Sequence, residues 1–242
     1  MLLVPLRVRE KLHRECLRYR ASRTAVHTME EWDMPRIQRM SGVAAGINAL
    51  VGVATLLVAL LLIGPEVLAD RTRFIALALN NPTPTIIQDL LKFVAAAATL
   101  MLIVVLFQRL RTARPLIIGI AFLFGVLAVL CLLANAILSL LAVSKAQAGD
   151  PSGAQLNTII GLLAMAIGMT NGIWYLLVHW VALQSGRLPK NLSLLGIVIG
   201  ALSLVPILGL FGLILIIVWS LWLCRFLLHE QSAPAPTAMT HG

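Results

Sequence analysis

The sequence predicts an all-α fold: a polytopic transmembrane helical bundle of six spans, with both termini in the cytoplasm. The chain of 242 residues is 60% hydrophobic and only 12% charged, and its mean hydropathy is +0.93, whereas a soluble domain is about one quarter charged. Long apolar runs alternate with short polar loops, and basic residues concentrate on alternate loops. The composition excludes a soluble enzyme and a largely disordered chain.

The apolar runs divide the chain into three parts. Residues 1–40 are expected to form a basic cytoplasmic N-terminal arm, residues 41–228 the six-helix transmembrane domain, and residues 229–242 a disordered cytoplasmic tail. A spanning helix needs about 20 apolar residues. The first four expected spans are 41–63, 86–107, 115–143 and 156–183. We expect a short helix at the outer surface within loop 64–85.

The last apolar run, 192–228, is too long for one ordinary span. Pro206, followed by Gly209 and Gly212, indicates a reversal of the chain within this run. The expected fifth and sixth spans are therefore 192–205 and 208–227. The alternative is one long tilted helix, which gives five spans.

The loop charges and the tryptophans predict the orientation. The N-terminal arm and the loops on its side hold 15 of the 19 basic residues, and the opposite side holds three. This asymmetry places both termini in the cytoplasm. Tryptophan pairs late in the fourth and sixth spans agree with it, because aromatic belts form at membrane interfaces. These residues are Trp174, Trp180, Trp219 and Trp222.

The N-terminal arm carries nine basic residues before the first span. Its expected partners are the lipid bilayer and anionic headgroups rather than nucleic acid. The arm is expected either to form a short interfacial helix or to be disordered, and Met29 or Met34 is an alternative start.

Three polar residues share one face of the second span: Gln88, Asp89 and Lys92. Lys92 is the most deeply placed charge, and we predict that it pairs with Asp89 or Gln88. In one interpretation Lys92 forms the floor of an outward-open binding pocket lined by Asn135 and Asn157. In the other the ion pair is purely structural, and Lys92→Met should then be tolerated better than Asp89→Ala.

A second polar stripe lies on the fourth span, where Asn171, Tyr175 and His179 are spaced by four residues. Such stripes usually pack against another helix. We predict that these residues face the bundle while Ile173 and Leu177 face lipid. Proton relay by His179 is the functional alternative.

No catalytic motif and no metal-ligand spacing is found, so we expect neither a cofactor nor a metal, and an enzyme is disfavoured. GxxxG motifs at Gly42–Gly46 and Gly196–Gly200 allow close helix packing, within the chain, in a homo-oligomer or with a membrane-protein partner. The expected role is binding, sensing or assembly within the bilayer. A small transporter or channel using the Lys92–Asp89 pocket, and an intramembrane enzyme acting on a lipid-like substrate, are the alternatives.

Three stretches carry a family resemblance: RIQRMSGVAAGI, LFQRLR and GIWYLLVHWVALQSGRLPKNLSLLGIVIGAL. Together they resemble bacterial integral-membrane families of the domain-of-unknown-function type, over roughly residues 36–226. The resemblance implies six helices in the bacterial cytoplasmic membrane and implies no reaction.

Overall fold

The computed structural model describes residues 40–64, 66–67, 73, 76–77, 80–148, 150, 152–205 and 208–231. Most of the expected N-terminal arm, most of the middle of loop 64–85, where a short helix is expected, and most of the expected tail lie outside these residues. The described part of the chain is all-α, as predicted. Its six helices are α1 Met40–Ile63, α2 Thr83–Leu110, α3 Pro115–Gln147, α4 Ser152–Ser185, α5 Lys190–Ser203 and α6 Gly209–Gln231.

Five of these helices are long and apolar enough to cross a membrane, and α5 is the exception. It has 14 residues, a length of about 21 Å, whereas the hydrocarbon core is about 30 Å thick. The run 192–228 therefore contains two helices rather than one long helix. The segment expected as the fifth span ends at Ser203 and is shorter than the hydrocarbon.

Proline and glycine account for several helix ends. Pro115 is the first residue of α3 and Pro84 lies in the first turn of α2, where the missing backbone N–H is not needed. The last turn of α1, Val58–Ile63, is π-helical, and the Gly64 N–H closes it by donating to the Ala59 carbonyl at 3.0 Å. Gly64 has a φ of +88°, a conformation that glycine adopts without strain.

Close packing between helices depends on small residues. A Cβ at Gly200 of α5 would lie 2.9 Å from the carbonyl oxygen of Gly172 in α4, and one at Gly125 of α3 would lie 2.8 Å from the Trp174 ring. The start of α1 packs against the end of α6, because a Cβ at Gly42 would lie 2.9 Å from Leu228. These contacts place α5 beside α4 and the end of α6 beside the start of α1.

The outer surface of the bundle is apolar on every helix. Leu61 and Leu116, for example, are each 76% exposed. Large apolar patches are rare on soluble monomers, and lipid is the solvent that suits them. The chain is a multi-pass membrane protein whose helices contact the lipid bilayer.

Candidate functional site

The second helix carries an ion pair in its first half. Asp89 and Lys92 are three residues apart on α2, so they lie on one face. The Lys92 Nζ donates to Asp89 Oδ1 at 2.6 Å. The predicted pairing of Lys92 with Asp89 is confirmed.

The pair is tied to two further helices through Asn135 of α3. Lys92 Nζ also donates to Asn135 Oδ1 at 2.8 Å. The amide nitrogen of Asn135 donates to the Ile160 carbonyl of α4 at 3.0 Å. A single chain of hydrogen bonds thus joins α2, α3 and α4 at one depth.

The carboxylate is far more buried than the ammonium. The Asp89 side chain is 1% exposed and that of Lys92 is 26% exposed. Two buried oxygens here have no hydrogen-bond partner among the described residues, Asp89 Oδ2 and, one turn away, Thr85 Oγ1. We call Thr85, Asp89, Lys92 and Asn135 the charged centre.

The other residues predicted for this pocket lie beside it. Gln88 is half-buried on α2, next to Asp89. Asn157 is half-buried on α4, about one turn before Ile160, and it has a partner of its own. Thr85 was not predicted from the sequence, although its spacing of four residues from Asp89 was a signal that could have found it.

The second predicted group lies in an aromatic cluster. Tyr175 and His179 of α4 are stacked with ring centroids 5.4 Å apart, and Trp219 of α6 meets both rings edge-on at 5.2 Å. Trp174 contacts Tyr175 at 4.7 Å. We call these four residues, all buried, the aromatic centre.

The hydrogen bonding of His179 defines its tautomer. Its Nδ1 lies 2.8 Å from the Tyr175 carbonyl oxygen, which only accepts, so Nδ1 carries a hydrogen. In a neutral imidazole Nε2 is then an acceptor, and it is buried without a partner in the described structure. The ring packs directly on Gly196 of α5, where a Cβ would overlap the His179 ring.

The rest of the α4 stripe is less buried than predicted. Tyr175 and His179 face the bundle, as expected, but Asn171 is only half-buried. Ile173 and Leu177, expected to face lipid, are half-buried as well, and Leu177 packs against the core. Helix α5 packs on the α4 face that carries Gly172 and His179.

The two centres are well separated along α4. The charged centre meets α4 at Ile160 and the aromatic centre at His179, which are about 28 Å apart along the helix axis. They do not form one site. Within the described residues no group of three His, Cys, Asp or Glu side chains is arranged to hold a metal ion.

A third polar contact was not predicted from the sequence. Asn48 of α1 donates to Ser220 Oγ of α6 at 3.0 Å and accepts from Thr99 Oγ1 of α2 at 3.3 Å. The amide side chain within an apolar run was the available signal. Its two partners lie on helices distant in sequence, so the contact forms only where α1, α2 and α6 bring these residues to the same level of the bundle.

Comparison with known proteins supports the architecture. Residues 44–231 match the family model described as a domain of unknown function, DUF4386. No curated protein and no solved structure matches the chain. Since the match covers more than three quarters of the sequence, the chain belongs to the DUF4386 family of multi-span helical membrane proteins, the domain-of-unknown-function type that its sequence resembles.

Proposed function

We propose that this chain is a non-catalytic protein of the bacterial cytoplasmic membrane that binds a small neutral polar solute at the charged centre. The observation that carries the proposal is the pair of buried oxygens without partners, Asp89 Oδ2 and Thr85 Oγ1. Leaving a buried polar atom unsatisfied costs about 1–3 kcal/mol. A solute that donates a hydrogen bond to these oxygens recovers that cost.

The charge balance favours a neutral solute over an anion. Lys92 is already paired with Asp89, so the centre carries no net charge. Two of the ammonium hydrogens are used by Asp89 and Asn135, and the third has no partner within the described structure. Because the Thr85 hydroxyl both donates and accepts, the centre offers two donors and two acceptors, which suits a hydroxyl or primary amide group.

The orientation that we propose is six spans with both termini in the cytoplasm. It is supported by the excess of basic residues on one side and by the packing of the α6 end against the α1 start. Because α5 is only about 21 Å long, this orientation requires either a locally thinned bilayer around α5 or neighbouring helices that shield its polar ends from lipid. In this orientation the charged centre lies in the outer half of the bundle.

An enzymatic role is disfavoured by the distance between the two centres. Acid–base chemistry needs its titratable groups within hydrogen-bond reach of one substrate. The Asp89–Lys92 pair and His179 contact α4 at points about 28 Å apart.

Water access to the charged centre tests the proposal. In a variant whose three native cysteines are replaced by serine, Thr85→Cys and Lys92→Cys should react with a charged, membrane-impermeant thiol reagent added outside the cell. Leu90→Cys is the matched control, because Leu90 lies on the exposed apolar face of the same helix. Reaction at Leu90 alone, or at none of the three, would contradict an outward-open site.

Binding is then measured with defined probes. Glycerol and acetamide, as neutral solutes, should raise the thermal unfolding midpoint of the purified protein, and acetate should not. The variant Asp89→Leu/Lys92→Met, which removes both charges together, should lose the effect while remaining folded. A larger shift with acetate than with acetamide would show that the centre recognises anions instead.

Transport of the same solute is a second candidate, favoured by the length of α5. Helices that stop within the membrane are a recurring part of transporter binding sites. Liposomes containing the protein should then swell faster in glycerol than liposomes containing Asp89→Leu/Lys92→Met. Equal swelling rates would mean that the protein binds the solute but does not transport it.

A further inference from the structure

Three segments that are distant in sequence meet at one end of the bundle. Arg187, in the turn between α4 and α5, donates from Nη1 to the Arg109 carbonyl oxygen near the end of α2. The Arg109 guanidinium lies over the Phe226 ring of α6, 5.3 Å from its centroid. These contacts bring the α2–α3 turn, the α4–α5 turn and the last turns of α6 together.

This end of the bundle exposes basic side chains from all three segments. We define the basic end as the exposed residues Arg111, Arg114, Lys190 and Arg225. The acidic side chains that the structure describes, Glu66, Asp89 and Asp150, belong to the other half of the bundle, because they follow α1, lie in the first half of α2 and precede α4. One further acidic residue, Glu230, lies in the last turn of α6 at this end, against four exposed cations. The basic end is therefore cationic over its described surface.

Exposed tryptophans indicate where this surface lies relative to the membrane. Trp180 of α4 and Trp222 of α6 are both exposed, whereas Trp174 and Trp219 are buried in the aromatic centre. Trp222 lies one turn before Arg225. Exposed tryptophan is concentrated at the level of lipid headgroups, so the cations of the basic end lie at or just beyond that level.

We infer that the basic end binds the phosphate groups of anionic phospholipids. Guanidinium and ammonium groups donate several hydrogen bonds to one phosphate. The headgroup depth indicated by Trp180 and Trp222 favours a lipid over a soluble phosphate or a nucleic acid. The site is separate from the charged centre and does not depend on solute binding there.

A lipid titration of the full chain in detergent tests the inference. Phosphatidylglycerol should raise the thermal unfolding midpoint more than phosphatidylcholine with the same acyl chains. The difference should shrink as salt is raised from about 0.05 to about 0.5 M, because surface charge is screened. Inorganic phosphate, glycerol 3-phosphate and a short DNA duplex should not reproduce the shift. If any of them does, the surface binds a soluble anion and the lipid assignment is overturned.

The matched variants locate the site. Arg114→Gln/Lys190→Gln/Arg225→Gln should weaken phosphatidylglycerol binding by about a hundredfold, since each surface cation contributes about fivefold. Arg73→Gln/Lys145→Gln removes two cations from the other half of the bundle and should leave binding unchanged. Native mass spectrometry of the same proteins counts the bound lipids. Full phosphatidylglycerol binding by the triple variant, or equal loss in the control, would overturn the inference.

Discussion

The charged centre and the aromatic centre show two ways to bury polar groups in a membrane bundle. In the charged centre, hydrogen bonds made by the Lys92 and Asn135 side chains join three helices, and Lys92 remains partly exposed. In the aromatic centre, His179 is fully buried, bonds only to a carbonyl of its own helix and is enclosed by rings and Gly196. Complementary charge stabilises the first centre and shape complementarity the second. They should therefore respond to different substitutions.

The largest effect is expected when the Asp89 carboxylate loses its partner. Lys92→Met should lower the free energy of unfolding by about 3–5 kcal/mol, because it leaves an uncompensated charge at a buried position. Unfolding by sodium dodecyl sulfate, followed by circular dichroism, measures the loss. Lys145→Met is the matched control, since its partner Asp150 is 41% exposed and exposed pairs contribute only about 0–1 kcal/mol. Equal losses would mean that burial does not distinguish the two pairs.

The opposite order was expected from the sequence for the two charged residues, with Asp89→Ala the more damaging change. Burial favours the reverse, because Asp89 is 1% exposed while Lys92 is 26% exposed and keeps its bond to Asn135. Asp89→Ala should therefore cost less than Lys92→Met in the same assay. A larger loss with Asp89→Ala would restore the order expected from sequence.

The aromatic centre should be sensitive to volume. Gly196→Ala places a Cβ against the His179 ring, closer than van der Waals contact allows, and overpacking of this kind costs about 1–3 kcal/mol. Gly119→Ala is the control, because nothing lies within 4 Å of the position that its Cβ would take. Adding His179→Ala should rescue Gly196→Ala in part, which a double-mutant cycle measures. If the effects of the two substitutions were strictly additive, the contact between Gly196 and His179 would be contradicted.

The Asn48 contact should have a smaller effect than either centre. Asn48→Ala removes the bonds to Ser220 and Thr99 but leaves no charge unpaired. Hydrogen bonds between membrane helices average about 0.6 kcal/mol, so we expect a loss of about 1 kcal/mol in the same unfolding assay. Ser220→Ala should cost about half as much. A loss as large as that of Lys92→Met would place Asn48 among the principal polar contacts.

The smallest effect concerns Asp150, the more exposed counterpart of Asp89. The Ser152 backbone N–H, and then Lys145, lower the pKa of Asp150 from 3.8 to about 2. A lowered pKa stabilises the fold above the unfolded value, and this contribution is lost as the pH falls from about 4 to about 2. The stability difference between wild type and Asp150→Asn should be constant from about pH 8 to about pH 5 and disappear over that acidic range. If the stability difference disappeared near neutral pH, ionisation of Asp150 would not be its cause.

Local spacing accounts for what the sequence predicted, and contacts between helices account for what it missed. The ends of the first four expected spans lie within four residues of the observed helix ends. Apolar runs and prolines predict these ends because each is a property of a single continuous segment. The Asp89–Lys92 pair follows from a spacing of three residues. The bonds of Asn48, the Arg187–Arg109 contact and the packing of Gly196 on His179 depend on which residues of different helices lie opposite each other. Solute binding at the charged centre stays a prediction.

The shortness of α5 has a consequence for how the chain enters the membrane during synthesis. A 14-residue helix buries too little apolar surface to move from the insertion channel into lipid by itself, because full spans use about 20 apolar residues. In the six-span arrangement that we propose, its partner α6 emerges only afterwards, so α5 and α6 should partition into lipid together as a hairpin. A chain held on the ribosome at the point where only α5 has left the exit tunnel should keep α5 outside the bilayer, and one held after α6 has also left the tunnel should release both helices into it.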